Sequence, residues 1–465
     1  MPVSILFAFY GSIWLLPSNL SRIVSVFSEF VCCNNIYLST VADAGYDPID
    51  PEGNITIKWD VVEWTGDGYR AIVTMSNWQL YRHIQAPGWI MGWTWATKKE
   101  VIWNMVGAET REQGDCSKFT GNLPHCCKRT PEVIDLLPGV PYNQQTANCC
   151  RGGVLSSYMQ DPKTSVASFQ VIVGNTGNKN TTIKLPQNFT IMTPGPGYTC
   201  SSAKVVPKTK FLSPSGRRIT EAFMTWTVKC SYTEQLAHKA ATCCVSFSAF
   251  YNETIVPCEK CACDCPTNNT TPIITTNGAD TNNQRCINRT KNNNLQQQPD
   301  MLYCTNDMCP VKIHWHIKLN YQEYWRVKIT ITNRDISRNY TLWNLVARHP
   351  NFKNFTESFS FSYKPLTAYG PTNDTAIFWG VKYYNDMLMQ AGPSGNVQSE
   401  ILFRKDSAFT LANGWGFPSH VLFNGDHCVL PHADHYPTLP SSSSTLRAAT
   451  TTIALLVLFA VALLI

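Results

Sequence analysis

Aromatic side chains are the residues of this chain best suited to recognition chemistry; 14 Trp, 19 Tyr and 21 Phe make up 12% of its 465 residues. A Trp ring offers an apolar face to the C–H face of a pyranose, and its edge N–H donates a hydrogen bond. In ITIKWDVVEW, Trp64 follows Trp59 by five residues. That spacing puts it on the opposite strand face or at the start of the TGDG turn. Its counterpart in the internal repeat described below is Asn320, so the fold does not demand an aromatic there. Trp64 is therefore a candidate stacking platform. Trp103 is a second candidate, although Trp103-Asn104-x-Val106 recurs as Trp343-Asn344-x-Val346, which speaks for structure. In GWIMGWTW, Trp89, Met91, Trp93 and Trp95 share one face by period two. They are expected to be core, as are Trp59 and Trp315.

Other chemistries find less support. Cys258-x-x-Cys261-x-Cys263-x-Cys265 has the density of a metal cluster, but the chain's other features point to an oxidising compartment and to disulfides. His314 and His316 share a strand face without a third ligand nearby. Asp47, Asp50, Glu52, Asp60 and Glu63 cluster, yet a glycosidase pair needs a defined separation that sequence does not supply. No G-x-S-x-G, H-E-x-x-H or phosphate loop is present. No metal, cofactor or catalytic residue is expected, and the protein is read as a non-enzyme.

The chain ends set the compartment. Ile453 to Ile465 is apolar throughout, about 20 Å as a helix against a hydrocarbon core of roughly 30 Å. Small residues Ser441–Ser444 and a polar spacer precede it, the pattern of a glycosylphosphatidylinositol signal. Ser442 is the expected attachment site, with Ser441, Ser443 and Ser444 as alternatives. Such a signal requires secretion, so residues 1–44 are read as a signal peptide, or as one with an extension, with mature chain from about Tyr46. Ten N-x-S/T sequons follow: Asn54, Asn180, Asn188, Asn252, Asn268, Asn269, Asn288, Asn339, Asn354 and Asn373. Of the 19 Cys, Cys32 and Cys33 leave with the leader, so an odd number remains. The adjacent pairs Cys126-Cys127, Cys149-Cys150 and Cys243-Cys244 are expected to bond outward, because vicinal bridges are strained. A net charge of +6 permits weak attraction to acidic wall polysaccharide or anionic surfaces, with no basic run to suggest nucleic acid.

An internal repeat frames these residues. ITIKWDVVEWTGDGYRAIVTMSN (55–77) aligns without gaps, at an offset of 256, with VKIHWHIKLNYQEYWRVKITITN (311–333). Ile57/Ile313, Trp59/Trp315, Arg70/Arg326, Thr74/Thr330 and Asn77/Asn333 are identical. LPQNFTI (185–191) likewise resembles FPSHVLF (417–423). Alternating apolar and polar residues in both copies predict strands, so the chain reads as mainly β with two tandem β-sandwiches. The first covers 46–200. A Cys-rich region, 201–265, either completes it or forms a small module. The Asn/Thr/Gln-rich run 266–303 is read as a linker. The second sandwich covers 304–430, and 431–452 is a linker carrying the attachment site.

These motifs resemble the plant COBRA and COBRA-like proteins. The likeness runs from YDPIDPEGNITIKWDVVEW (46–64) through LLPGVPYNQQTANCCRGGV (136–154) and TCCVSFSAFYNETIVPC (242–258) to FNGDHC (423–428). It implies a lipid-anchored, glycosylated wall protein that acts in cellulose deposition without known catalysis. The N-terminal region also resembles bacterial-type cellulose-binding modules, through W-x4-W, then G-W-x-[LM]-x-[FW]-x-[FW] and a further Trp. The likeness implies that Trp64 and Trp103 face the ligand, that the GW strand is core, and that Tyr158 is the third aromatic. The leading expectation is a binder of β-1,4-glucan. Two others stand beside it: a surface adhesion or scaffold protein with a protein partner, and a wall transglycosylase.

Overall fold

The computed structural model describes residues 47, 49–176, 183–212, 216–237, 241–258, 310–335, 338–366, 374–405 and 416–438, and the backbone of 272–273, 284–287 and 301–304. The leader, the expected attachment serines, the apolar tail and the sequons Asn180, Asn268, Asn269, Asn288 and Asn373 lie outside the described residues.

The first half supplies β1 (Ile55–Trp64), β2 (Tyr69–Asn77), β3 (Ile90–Thr94), β4 (Val101–Val106), β5 (Ala108–Thr110), β6 (Glu132–Asp135), β7 (Val166–Gly174), β8 (Gln187–Met192), β9 (Tyr198–Cys200), β10 (Lys204–Val206), β11 (Lys210–Leu212), β12 (Ile219–Glu221) and β13 (Met224–Tyr232). One sheet runs β10-β13-β1-β2-β7-β4, with β9 on β13, and faces a second sheet, β5-β6-β3-β8. The period-two pattern produces this directly: Ile55, Ile57, Trp59 and Val61 point inward while Thr56 and Lys58 stay half-exposed. Trp59 stacks on Trp226 at 5.5 Å between centroids and meets Trp93 edge-on at 5.2 Å. Trp89, Met91, Trp93 and Trp95 are all core, as their spacing predicts.

The second half continues with β14 (Cys243–Ala249), β15 (Asn252–Val256), β16 (Pro272–Ile273), β17 (Gln284–Ile287), β18 (Met301–Cys304), β19 (Val311–Asn320), β20 (Tyr324–Asn333), β21 (Leu345–Arg348), β22 (Phe355–Ser358), β23 (Phe361–Pro365), β24 (Thr375–Gly380), β25 (Asn396–Arg404), β26 (His420–Phe423) and β27 (Asp426–His427). Sheets β15-β14-β19-β20-β25-β22 and β23-β24-β21-β26-β27 enclose its core. The repeat is real in space. β1-β2-β7 matches β19-β20-β25, and the bulge between Val61 and Glu63 recurs between Ile317 and Leu319. Asn77 and Asn333, identical in the alignment, are both fully buried. Asn77 Nδ2 donates to the Arg82 and Ser156 carbonyls, each at 2.9 Å; Asn333 Nδ2 donates to those of Arg338, Leu388 and Gln390 at 2.9–3.0 Å.

Four expectations are corrected. First, the 201–265 region is divided: β13 joins β1 antiparallel, whereas β14 leaves for the second sandwich and pairs parallel with β19. Second, part of the polar run read as a linker forms the antiparallel sheet β16-β17-β18. Third, Trp343 is not the counterpart of Trp103. It precedes β21, which pairs with β24 and β26 as β3 pairs with β6 and β8, so its topological partner is Trp89. Fourth, one vicinal bridge does form, Cys149–Cys150. Asn148 and Cys150 take positive φ of 64° and 69° there. The Asp135 carboxylate accepts from the backbone N–H of Cys150, Arg151 and Gly153, each at 2.9 Å, and holds that turn. The other bridges are Cys116–Cys127, Cys200–Cys230, Cys243–Cys428 and Cys244–Cys258. Among the described residues Cys126 is a free, buried thiol, so it does not bond outward.

The sandwiches dock through the outer side of β24-β21-β26. Val346, Ile377 and Leu422 pack with Leu366 around Tyr81 of the first sandwich. Asn344 Nδ2 donates to the Tyr81 carbonyl at 2.8 Å, Gln160 Nε2 to that of Leu342 at 2.9 Å, and Arg82 Nη1 to that of Gly425. His83 Nδ1 lies 3.2 Å from Asn344 Nδ2, which can only donate, so this nitrogen is the acceptor. Burial pushes the His83 imidazole down to about 4, which keeps it neutral.

Candidate functional site

The bulge in β1 decides where Trp64 goes. Without it, the five-residue step from Trp59 would turn Trp64 outward. The extra residue between Val61 and Glu63 restores it to the core side, directly opposite Tyr69. Trp64 sits at the strand end, half-buried, with its ring 6.4 Å from Tyr69 and 6.1 Å from Phe223. Phe223, held by its N–H to the Val61 carbonyl at 2.7 Å, is 50% exposed.

Trp103 is also placed by a bulge, the one between Ile102 and Asn104 where β4 meets β7. Its Nε1 donates to Asp67 Oδ2 at 3.0 Å, and its ring meets Phe119 edge-on at 5.4 Å. It is half-buried. Asp67 belongs to the β1–β2 loop; its carbonyl accepts from Thr176 N–H at 3.1 Å. Gly174 is required beneath this arrangement, because a Cβ there would come within 2.0 Å of Trp103 Nε1.

Trp64, Tyr69, Val173 and Ile102 stand side by side on β1, β2, β7 and β4. Adjacent strands are about 4.8 Å apart, so the backbones at Trp64 and Ile102, the residue before Trp103, are separated by three spacings, about 14 Å. With Phe223 beyond Trp64 and Phe119 beyond Trp103, four rings line one rim of the sheet, Trp64 on its core side and Trp103 on the outer face over Gly174, the neighbour of core-facing Val173. Asp67 lies within it. Phe223 and Phe119 were missed in the sequence. Phe223 carries the only available signal, an apolar residue just ahead of the strand TWTVKC.

Tyr158 does not join this band. It lies 5.2 Å from Trp78 between centroids, and Trp78 follows the far end of β2. Nine residues of β2 at about 3.4 Å each separate the two ends of the sheet, about 30 Å. Trp78 and Tyr158 are 46% and 37% exposed and stand beside the domain junction, where Lys364 Nζ donates to the Met159 carbonyl and lies 5.6 Å from the Trp379 ring. The three predicted aromatics thus fall into a pair and an outlier.

Of the described sequons, Asn188 and Asn339 are exposed, and Asn54, Asn252 and Asn354 are half-buried. Asn354 Nδ2 donates to Asn351 Oδ1 at 2.9 Å. His314 and His316, set aside as a metal pair, instead share Ser248, whose Oγ lies 2.8 Å from His314 Nε2 and 2.7 Å from His316 Nδ1. Among the described residues no helix is long and apolar enough to cross a membrane.

Fold and site together define a tandem β-sandwich protein, cross-linked by disulfides, with a partly exposed aromatic band at the rim of its first sandwich. The COBRA N-terminal domain matches residues 69–233 and the COBRA family C-terminal domain matches 242–437. The chain is 59% identical to COBRA-like protein 1 of Arabidopsis thaliana, over 86% of this chain and 88% of that one. It is 58% identical to Protein COBRA of the same plant, over 89% and 90%, and 59% identical to COBRA-like protein 3 of Oryza sativa subsp. japonica, over 88% and 89%. The chain belongs to the COBRA family.

Proposed function

We propose that this protein is a non-enzymatic, secreted glycoprotein of the plant cell surface and wall that binds β-1,4-glucan through the first sandwich and guides cellulose deposition and oriented growth. A glycosylphosphatidylinositol lipid at Ser442, or at a neighbouring serine, would hold it on the outer leaflet. The single observation that carries the binding assignment is the band Phe223–Trp64–Trp103–Phe119. Its rings line one rim of the sheet across several strands, where a glucan chain passing over that edge would meet them. Asp67 fixes Trp103 by its indole N–H, so this ring does not have to be ordered on binding. Family membership supports the reading.

The test is retention of the secreted protein on crystalline cellulose. At about 1.4 kcal/mol per stacking ring, Trp64→Ala with Trp103→Ala should weaken retention about a hundredfold. Their thermal unfolding, followed in parallel, must stay cooperative. Equal retention by the folded double variant, with loss on Trp78→Ala and Tyr158→Ala instead, would move the site to the junction.

A further inference from the structure

We propose that the outward face of β19, β20 and β25 in the second sandwich is a docking surface for an acidic polysaccharide, a polyuronate. On β19 the inward residues are Val311, Ile313, Trp315 and Ile317, and the outward ones are Lys312, His314, His316 and Lys318. β20 adds Arg326 and Lys328 outward, and β25 adds Arg404. Successive outward residues stand about 6.8 Å apart along a strand and about 4.8 Å across strands, so the cations form a flat array. His316 lies opposite Lys328, and Lys328 opposite Glu400. Glu400 is the carboxylate inside the array, bonded to Lys318 and, at 3.0 Å, to Arg326; Glu357 stands at the edge opposite Leu402. Lys312, Lys318, Arg326, Lys328 and Arg404 outnumber these two acids.

The internal repeat is the control. The first sandwich builds the same sheet with Thr56, Val62 and Ile72 where the second has Lys312, Lys318 and Lys328. Its Lys58 and Arg70 pair with Asp60 and Glu63 at 3.5 and 3.0 Å. The fold therefore does not need the extra cations, and their presence on one copy marks a chemical difference between the two faces.

Sugar, rather than a bare anion, fits the surroundings. Ser246 Oγ and Ser248 Oγ lie 2.7 and 2.8 Å from His314 Nδ1 and Nε2, and the His314 and His316 rings are near-parallel, 15° apart. At one end, Tyr321 and Phe359 are exposed, and the Arg326 guanidinium lies 5.9 and 5.5 Å from their rings. Pyranose stacking beside a guanidinium that can pair with a carboxylate is the combination a uronate presents. The middle of the face is polar and offers nothing to bury in hydrocarbon.

The experiment measures binding of the whole secreted protein to polygalacturonate, to its methyl-esterified form, and to vesicles of anionic phospholipid. Polygalacturonate should bind, at least tenfold more tightly at 50 mM than at 500 mM salt, and the ester and vesicles should not. Lys312→Glu with Lys328→Glu should lose at least tenfold. Lys312→Thr with Lys328→Ile, the residues the first sandwich carries, should do the same if the charge reversal fails to fold. Both variants should keep cellulose retention. Equal binding of the ester, binding of vesicles alone, or unchanged binding by the Thr/Ile variant would overturn the proposal.

Discussion

His83 gives the most demanding check on the domain junction. In the unfolded chain its imidazole takes a proton near 6.5; in the folded protein burial delays this to about 4. Between those values the unfolded state binds more protons, so stability falls as pH falls from 6.5 to 4. At about 1.4 kcal/mol per pH unit the full effect is about 3 kcal/mol, and at pH 4.5 it is about 2.5 kcal/mol. Asp50 works the other way. Burial raises its carboxyl from 3.8 to about 6, so the folded state takes that proton first and gains stability as pH falls through the same window. The two effects oppose each other in the native protein, so the informative quantity is a difference. His83→Asn keeps an acceptor for the Asn344 amide and removes the titration. Urea unfolding followed by Trp fluorescence at pH 7.5 and 4.5 should show the variant gaining about 2.5 kcal/mol relative to the native protein on acidification. A change below about 0.5 kcal/mol would refute the assignment of a neutral His83 sealed at the junction.

Further outcomes follow from single contacts. Gly174→Ala forces a Cβ into the Trp103 indole and should lower cellulose retention about tenfold while the sandwich still unfolds cooperatively. Asn344→Ala removes the amide bonded to the Tyr81 carbonyl and should cost about 1–3 kcal/mol in urea unfolding; a neutral result would mean that the docking is not closed by this residue. Asn333→Ala removes the amide bonded to the Arg338, Leu388 and Gln390 carbonyls, of which Leu388 keeps the Tyr340 N–H at 3.1 Å, and should cost about 1–3 kcal/mol. Peptide mapping without reduction should find Cys149 and Cys150 linked within one peptide and Cys126 open to alkylation after unfolding; alkylated Cys149 in the native digest would contradict the bridge.

Much of the architecture was legible because it rests on periodicity. Alternation marks β1, β2, β19 and β20, and the gapless repeat pairs Trp59 with Trp315 and Asn77 with Asn333 before any contact is known. The site was less legible because it depends on breaks in that period. A bulge is one residue out of step, and it reversed the side assigned to Trp64 and re-aimed Trp103. The likeness of Trp343 to Trp103 was local; only strand neighbours show that Trp343 answers to Trp89. The separation of Tyr158 from Trp64 is set by the length of β2, which a motif does not measure. The Cys149–Cys150 bridge depends on left-handed backbone at Asn148 and Cys150 and on the distant Asp135, none of which adjacency alone reveals.

The Cys243–Cys428 bond has a mechanical meaning. It joins the first strand of the second sandwich to a residue near the end of that sandwich, across 185 positions. Tension drawn between residue 47 and residue 438 runs through the first sandwich, crosses at the sulfurs and leaves by the last few residues. The chain enclosed by the bond bears none of it, so under load lengthening is confined to the chain before Cys243 and the few residues after Cys428, and the second sandwich behaves as a bead on the line.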